Sequence, residues 1–133
     1  MEDCIFCKIV SFELPAHVVR ETDDLIVFLS LEGHPLVVPK GHFENIFALD
    51  NQIASKIMQE AVLISKVLKS TLNCDGINLI QSNGSAAGQD VFHFHLHIKP
   101  RWFNDDVVLS WNTSAVENEK KVALAENLSK LLS

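Results

Sequence analysis

His93-Phe94-His95-Leu96-His97-Ile98-Lys99 alternates imidazole and apolar side chains with a period of two. That period belongs to a β-strand, whose successive side chains point to opposite faces. At ~3.3 Å rise per residue, neighbouring histidines would stand roughly 6.6 Å apart on one face. Phe94, Leu96 and Ile98 would face the other way, onto a core. Imidazole titrates near neutrality, attacks phosphorus or carbon, and binds metals. Three in a row on one strand face make a reactive surface, which packing alone does not call for.

Immediately before this strand, Ser82-Asn83-Gly84-Ser85-Ala86-Ala87-Gly88 is a loop of small residues. Small residues let backbone N–H groups approach an anion closely, and Ser82, Asn83, Ser85 and Gln89 add side-chain donors. Alone it reads as a tight strand connection. Ending beside three histidines, it reads as an anion site. Further upstream, 17–21 and 24–29 are short β-branched runs separated by turn residues Thr22-Asp23-Asp24. His34-Pro35-Leu36-Val37-Val38-Pro39 forms a third strand, with Pro35 suited to its entry. Asp50 is the expected N-cap of a long helix whose Ile53, Ile57, Ala61, Ile64, Leu68 and Leu72 make one apolar stripe, ended by Asn73 to Gly76. Ile77–Gln81 is the next strand. Ser114-Ala115-Val116-Glu117 has the form of a capping box, opening a C-terminal helix with Leu124, Leu128 and Leu131 as its stripe. Strands, a helix, then strands again imply an α+β domain with an antiparallel sheet.

The 133 residues fit a single domain: a core over 1–111 and a C-terminal helical extension over 112–133. A hydrophobic fraction of 47% indicates a folded globule. The formal charge of −6 argues against nucleic acid or anionic membrane as partner, since both select basic faces. The acidic start Met1-Glu2-Asp3-Cys4 lacks the basic and apolar regions of a signal peptide, and no apolar run reaches membrane-spanning length, so a cytoplasmic location is expected.

Cys4, Cys7 and Cys74 do not suggest a disulfide framework. Cys4-Ile5-Phe6-Cys7 has metal-ligand spacing, but two thiols are half of a tetrahedral site, and His42 and His93 are candidates for the rest. Plain packing of the two thiols is the alternative. A redox motif would need a βαβ setting that the surrounding residues lack. Cys74 reads as a small buried residue, His17 carries no signal, and Trp102, Phe103 and Trp111 read as packing or dimer-contact groups.

These stretches, together with Cys4-Ile5-Phe6-Cys7-Lys8-Ile9, Gly33–His42 and Ala87–Arg101, resemble the histidine triad (HIT) superfamily, in particular its small single-domain nucleotide hydrolases. The resemblance implies a HIT-like α+β fold that pairs as a homodimer. It also implies transfer or hydrolysis at the α-phosphorus of a purine nucleotide, with His95 as nucleophile. His97 would contact the phosphoryl oxygens and assist proton transfer, and His34 would stand behind His93 and His95, fixing ring orientation. Ser82, Gly88, Gln89 and Asp90 would line the phosphate site, with Ser30, Phe6 and Phe28 completing the substrate-binding set. A structural zinc would be held by Cys4, Cys7, His42 and His93.

Two residues depart from the family pattern. Ser30 stands where an aspartate usually grips the ribose hydroxyls, in a shortened loop, and Asp90 stands where many relatives have serine. The leading expectation is a nucleoside phosphoramidase, with a dinucleoside polyphosphate hydrolase as its nearest rival. A nucleotide-binding interaction protein with little activity and a catalytic zinc centre are the readings from other classes.

Overall fold

The computed structural model describes residues 3–112 and 114–133. Met1 and Glu2 of the acidic start and Thr113 of the extension lie outside the described residues. The elements run α1 (Ile5–Val10), β1 (Val18–Glu21), β2 (Leu25–Leu29), β3 (Pro35–Pro39), α2 (Asn51–Leu72), β4 (Gly76–Ile80), β5 (Leu96–Arg101) and α3 (Asn118–Leu132). The strands form one antiparallel sheet in the order β1-β2-β3-β5-β4, the α+β arrangement expected from the sequence.

Of the three inner strands, β2 and β3 read as unbroken apolar runs because both faces of the sheet are covered there. On one face Leu25, Val27, Val37, Phe94, Leu96 and Ile98 pack against Ile57, Ala61 and Ile64 of α2. On the other, Ile26, Phe28, Leu36 and Val38 pack against Phe6 of α1. The alternate residues of each strand thus serve separate cores. Pro35 and Pro39 sit at the two ends of β3, opposite Leu29 and Leu25.

Helix α2 begins as the sequence predicts. The Asp50 carboxylate accepts from the amides of Gln52 (2.9 Å) and Ile53 (3.0 Å), satisfying two of the donors a helix start leaves open. Asn73, in the left-handed region at φ 51°, closes its other end with an N–H bond to the Lys69 carbonyl.

Three local expectations are corrected. The histidine strand begins at Leu96, so His93 and His95 precede it. There the amide of Phe94 donates to the Phe43 carbonyl at 2.6 Å, a loop contact in place of a sheet ladder. The alternation of faces still holds, since Phe94 is in the α2 core. Residues 5–10, read only as part of a cysteine motif, form α1. The last helix starts at Asn118, four residues beyond Ser114, with Glu117 as N-cap and no side-chain capping bond. Ser114 is engaged elsewhere: its amide donates to Asn112 Oδ1 at 2.9 Å, a turn that competes with helix initiation.

Among the described residues no helix is long and apolar enough to cross a membrane.

Candidate functional site

Cys4 is the N-cap of α1, its sulfur accepting from the amide of Cys7 at 3.4 Å. This one-turn geometry aims both thiols at the same point, where His42 and His93 arrive from the β3–α2 loop and the segment before β5. Cys4 Sγ lies 3.3 Å from His93 Nδ1, Cys7 Sγ 3.3 Å from His42 Nδ1 and 3.5 Å from His93 Nδ1, and the two Nδ1 atoms are 3.2 Å apart. Tetrahedral thiolate and imidazole bonds of about 2.0–2.3 Å put ligand atoms roughly 3.3–3.8 Å from one another. The four donor atoms fit one metal ion.

The tautomer of His93 fits as well. Its Nε2–H donates to the Pro39 carbonyl at 2.8 Å, leaving Nδ1 with a free lone pair turned to the cysteines. His93 is fully buried, and desolvation, opposed by the Pro39 bond, lowers its pKa. Burial, with Cys4 alongside, pushes the Cys7 thiol up to about 11. A cation among the four would reverse that preference.

Phe6 connects this cluster to the remaining histidines. Held between the two cysteines, its ring meets His93 (5.9 Å between centroids) and His95 (5.0 Å) edge-on, with Phe28 behind it. His95 Nδ1 lies 2.7 Å from the His93 carbonyl. A carbonyl only accepts, so Nδ1 carries the proton and Nε2 keeps its lone pair. Nε2 has no protein partner among the described residues and opens on a cavity that His95 lines.

His97 stands beside it, with ring centroids 5.0 Å apart. Its Nδ1 is 2.8 Å from His34 Nε2. Desolvation first, then the neighbouring His95 and His34, lowers the His97 pKa to about 4, so its ring is neutral at pH 7. His34 is also lowered, mainly by burial. The structure therefore puts His34 behind His97, where the sequence reading had it behind His93 and His95. The reason is register: Leu36 pairs with His97, which brings the start of β3 to that residue.

The cavity holds about 600 Å³. Of the residues that the resemblance assigns to substrate or catalysis, Phe6, Phe28, Ser30, Asp90, His95 and His97 line it. Ser82, Gly88 and Gln89 are not brought to it. Gln89 is buried with its whole amide committed: Oε1 accepts from Gly84 N, and Nε2 donates to the carbonyls of Glu44 and Val91. The amides of Ala87, Gly88 and Gln89 bond back to Gly84 and Ser85. Those three amides are spent within the loop, whose corners are made by Gly84 and Gly88 at φ 89°.

Sequence reasoning missed Glu32, which lines the cavity from the β2–β3 turn. It also missed the apolar wall of Ile5, Ile9 and Leu36. The turn is held by Ser30 N–H to the His34 carbonyl (2.8 Å) and His34 N–H to Ser30 Oγ (3.2 Å). The only signal for Glu32 was its place in a short loop running straight into His34.

Comparison with known proteins gives a consistent result. The adenosine 5′-monophosphoramidase of Saccharomyces cerevisiae is 32% identical over 130 residues, covering 94% of this chain and 80% of its own. A crystal structure from Streptococcus mutans superposes with a TM-score of 0.93 at 33% identity, covering 100% of this chain and 87% of that one. A zinc-bound histidine triad family protein from Mycobacterium smegmatis gives a TM-score of 0.75 at 30% identity, covering 98% and 96%. The family profile described as HIT domain matches residues 11–104.

Proposed function

The chain belongs to the HIT domain family, and from that membership and the geometry of its histidines we propose that it is a nucleotide hydrolase acting at the α-phosphorus of purine nucleotide derivatives, specifically a nucleoside phosphoramidase. The observation that carries this reading is the bare Nε2 of His95, fixed by the Nδ1 bond to His93 and open to a cavity of nucleotide size.

In the proposed reaction Nε2 attacks the α-phosphorus, a P–N bond to His95 forms, and the bond to the leaving amine breaks. The neutral His97, backed by His34, carries a proton on Nε2 when His34 donates to its Nδ1. That Nε2–H hydrogen-bonds a phosphoryl oxygen, while the leaving nitrogen takes its proton from solvent and departs as the amine. Water cleaves the nucleotidyl-histidine in a second displacement, releasing the nucleotide and restoring His95. Splitting one displacement in two is what a nucleophile contributes. The apolar wall around Phe6, Phe28 and Leu36 suits a purine ring.

Zinc is the proposed occupant of the Cys4, Cys7, His42 and His93 cluster. It would act structurally, fixing α1 against residue 93. In Cys4→Ser, zinc per chain measured by elemental analysis is expected to fall well below that of wild type, with a lower Tm. Full zinc content in that variant would count against the assignment.

The activity is tested by release of a fluorescent amine from an adenosine 5′-phosphoramidate. Wild type should turn over and His95→Ala should lose roughly a thousandfold or more, as expected for removal of a nucleophile. A fully active His95→Ala would overturn the mechanism. Nucleotide binding without turnover in wild type would favour an interaction protein.

A further inference from the structure

The charges lining the cavity are one-sided. Glu32 and Asp90 are its two carboxylates, and no lysine or arginine is among its described lining residues. A site built for a chain of phosphates would be expected to hold the opposite, since each phosphate adds negative charge that fixed cations offset. His97 does not supply that cation. It is neutral at pH 7, and His34 behind it is shifted the same way, by burial first and then by Lys99, which acts on it from outside the cavity lining. The loop that looked like a phosphate cradle has the amides of Ala87, Gly88 and Gln89 turned inward.

Both carboxylates are exposed residues at the edges of the cavity, and neither is tied up in an ion pair among the described residues. They come from different elements, Glu32 from the β2–β3 turn and Asp90 from the segment leading to His93. Both line the same cavity as His95 and His97, and each favours the charged form of the His97 ring. Glu32 is held in its ionised form by its own backbone amide and the Ser30 hydroxyl.

We propose that Glu32 and Asp90 form a charge filter that selects the substrate's leaving group: a single phosphoryl centre carrying a neutral or cationic amine is admitted, and a polyphosphate is turned away. This rests on the hydrolase reading above and narrows it to phosphoramidates, with amines bearing a positive charge favoured over neutral ones. The electrostatics are simple. An amine carrying a cation some ångströms from the phosphorus meets two anions, whereas each further phosphate meets the same two with the opposite sign.

The test has a binding arm and a turnover arm. Adenosine mono-, di- and triphosphate are titrated calorimetrically, without divalent metal, into wild type, Asp90→Asn, Glu32→Gln and the double variant. Affinity in wild type is expected to fall roughly threefold to tenfold with each added phosphate, a size consistent with partly screened unit charges. The dependence should flatten in each variant, most in the double one, and in wild type at high salt. An affinity that rises with phosphate number in wild type, or a dependence the variants leave unchanged, overturns the filter.

For turnover, kcat/KM is compared for adenosine phosphoramidates of a diamine and of an uncharged amine, and for a diadenosine polyphosphate. The diamine compound should lead, and its advantage over the uncharged one should shrink several-fold in Asp90→Asn. An equal preference in wild type and variant counts against the proposal. If no compound turns over but affinity still falls with phosphate number, the filter stands and the hydrolase reading fails. If turnover depends on His95 but charge has no effect, the reverse holds.

Discussion

Two residues six positions apart, Gln89 and His95, mark what a sequence does and does not disclose about individual side chains. His95 could be read because alternation fixes which face it occupies, and a histidine on a face shared with two others has few structural uses. Gln89 has the same kind of polar side chain whether it meets a ligand or three backbone groups. Only the fold brings Gly84, Glu44 and Val91 around it. Titration offers a test at this scale. The His97 pKa of about 4 lies below the ordinary histidine value of about 6.5 expected for the unfolded chain. Between these two values the unfolded chain binds a proton that the folded chain refuses, so stability is lost as pH falls through that window and is unaffected by this group above it. His34 is shifted in the same direction and adds to the effect. Urea midpoints should therefore climb from pH 4.5 to 6.5 and then level off, and His97→Asn should give a shallower climb. A variant with the wild-type slope would remove His97 from the explanation.

Among the elements, legibility followed the strength of the local pattern. Helix α2, 22 residues long, has one apolar stripe, a carboxylate cap and an asparagine stop, and each was readable because each acts within a few residues of itself. Replacing Asp50 by alanine removes bonds to two amides and is expected to cost about 1 kcal/mol, read as a lower denaturant midpoint with an unchanged m-value. An unchanged midpoint would mean that water caps the helix equally well. Helix α1 was invisible because six residues are too few for a periodic signal. Its cap is a thiol, outside the usual capping set, and its position is set by the partners of Cys4 and Cys7 far along the chain. The shortened β5 has a similar cause. Strand assignment needs a neighbouring strand, and next to Phe94 the neighbour is a loop. The box at Ser114 failed because a nearby asparagine took its amide first.

Across the whole molecule, strand order was the hidden quantity. That β5 lies between β3 and β4 depends on pairings dozens of residues apart, which alternation in one strand cannot specify. The two-faced burial of β2 and β3 was foreshadowed by their unbroken apolar runs, but which helix covers which face was not. The surface also carries information. Leu124, Leu128 and Leu131 of α3 are exposed, and α3 buries none of its side chains against the rest of the chain. Strand β4 is a sheet edge with Leu79 exposed. We propose a homodimer that covers these surfaces. Sedimentation equilibrium should return twice the 14.9 kDa chain mass at micromolar concentration. A single-chain mass at that concentration would reject the pairing.

Position 93 has a consequence for the genetics of this protein. One residue donates from Nε2 to the Pro39 carbonyl, presents Nδ1 to the cysteines, and lends its own carbonyl to His95. The first two uses need an imidazole, while the third needs only a peptide group held in place. Any replacement at 93 loses the side-chain uses together and displaces the peptide that orients the nucleophile. No second change elsewhere can mend all three. In a selection that restores activity to a His93→Ala strain, the survivors should be true revertants at that codon.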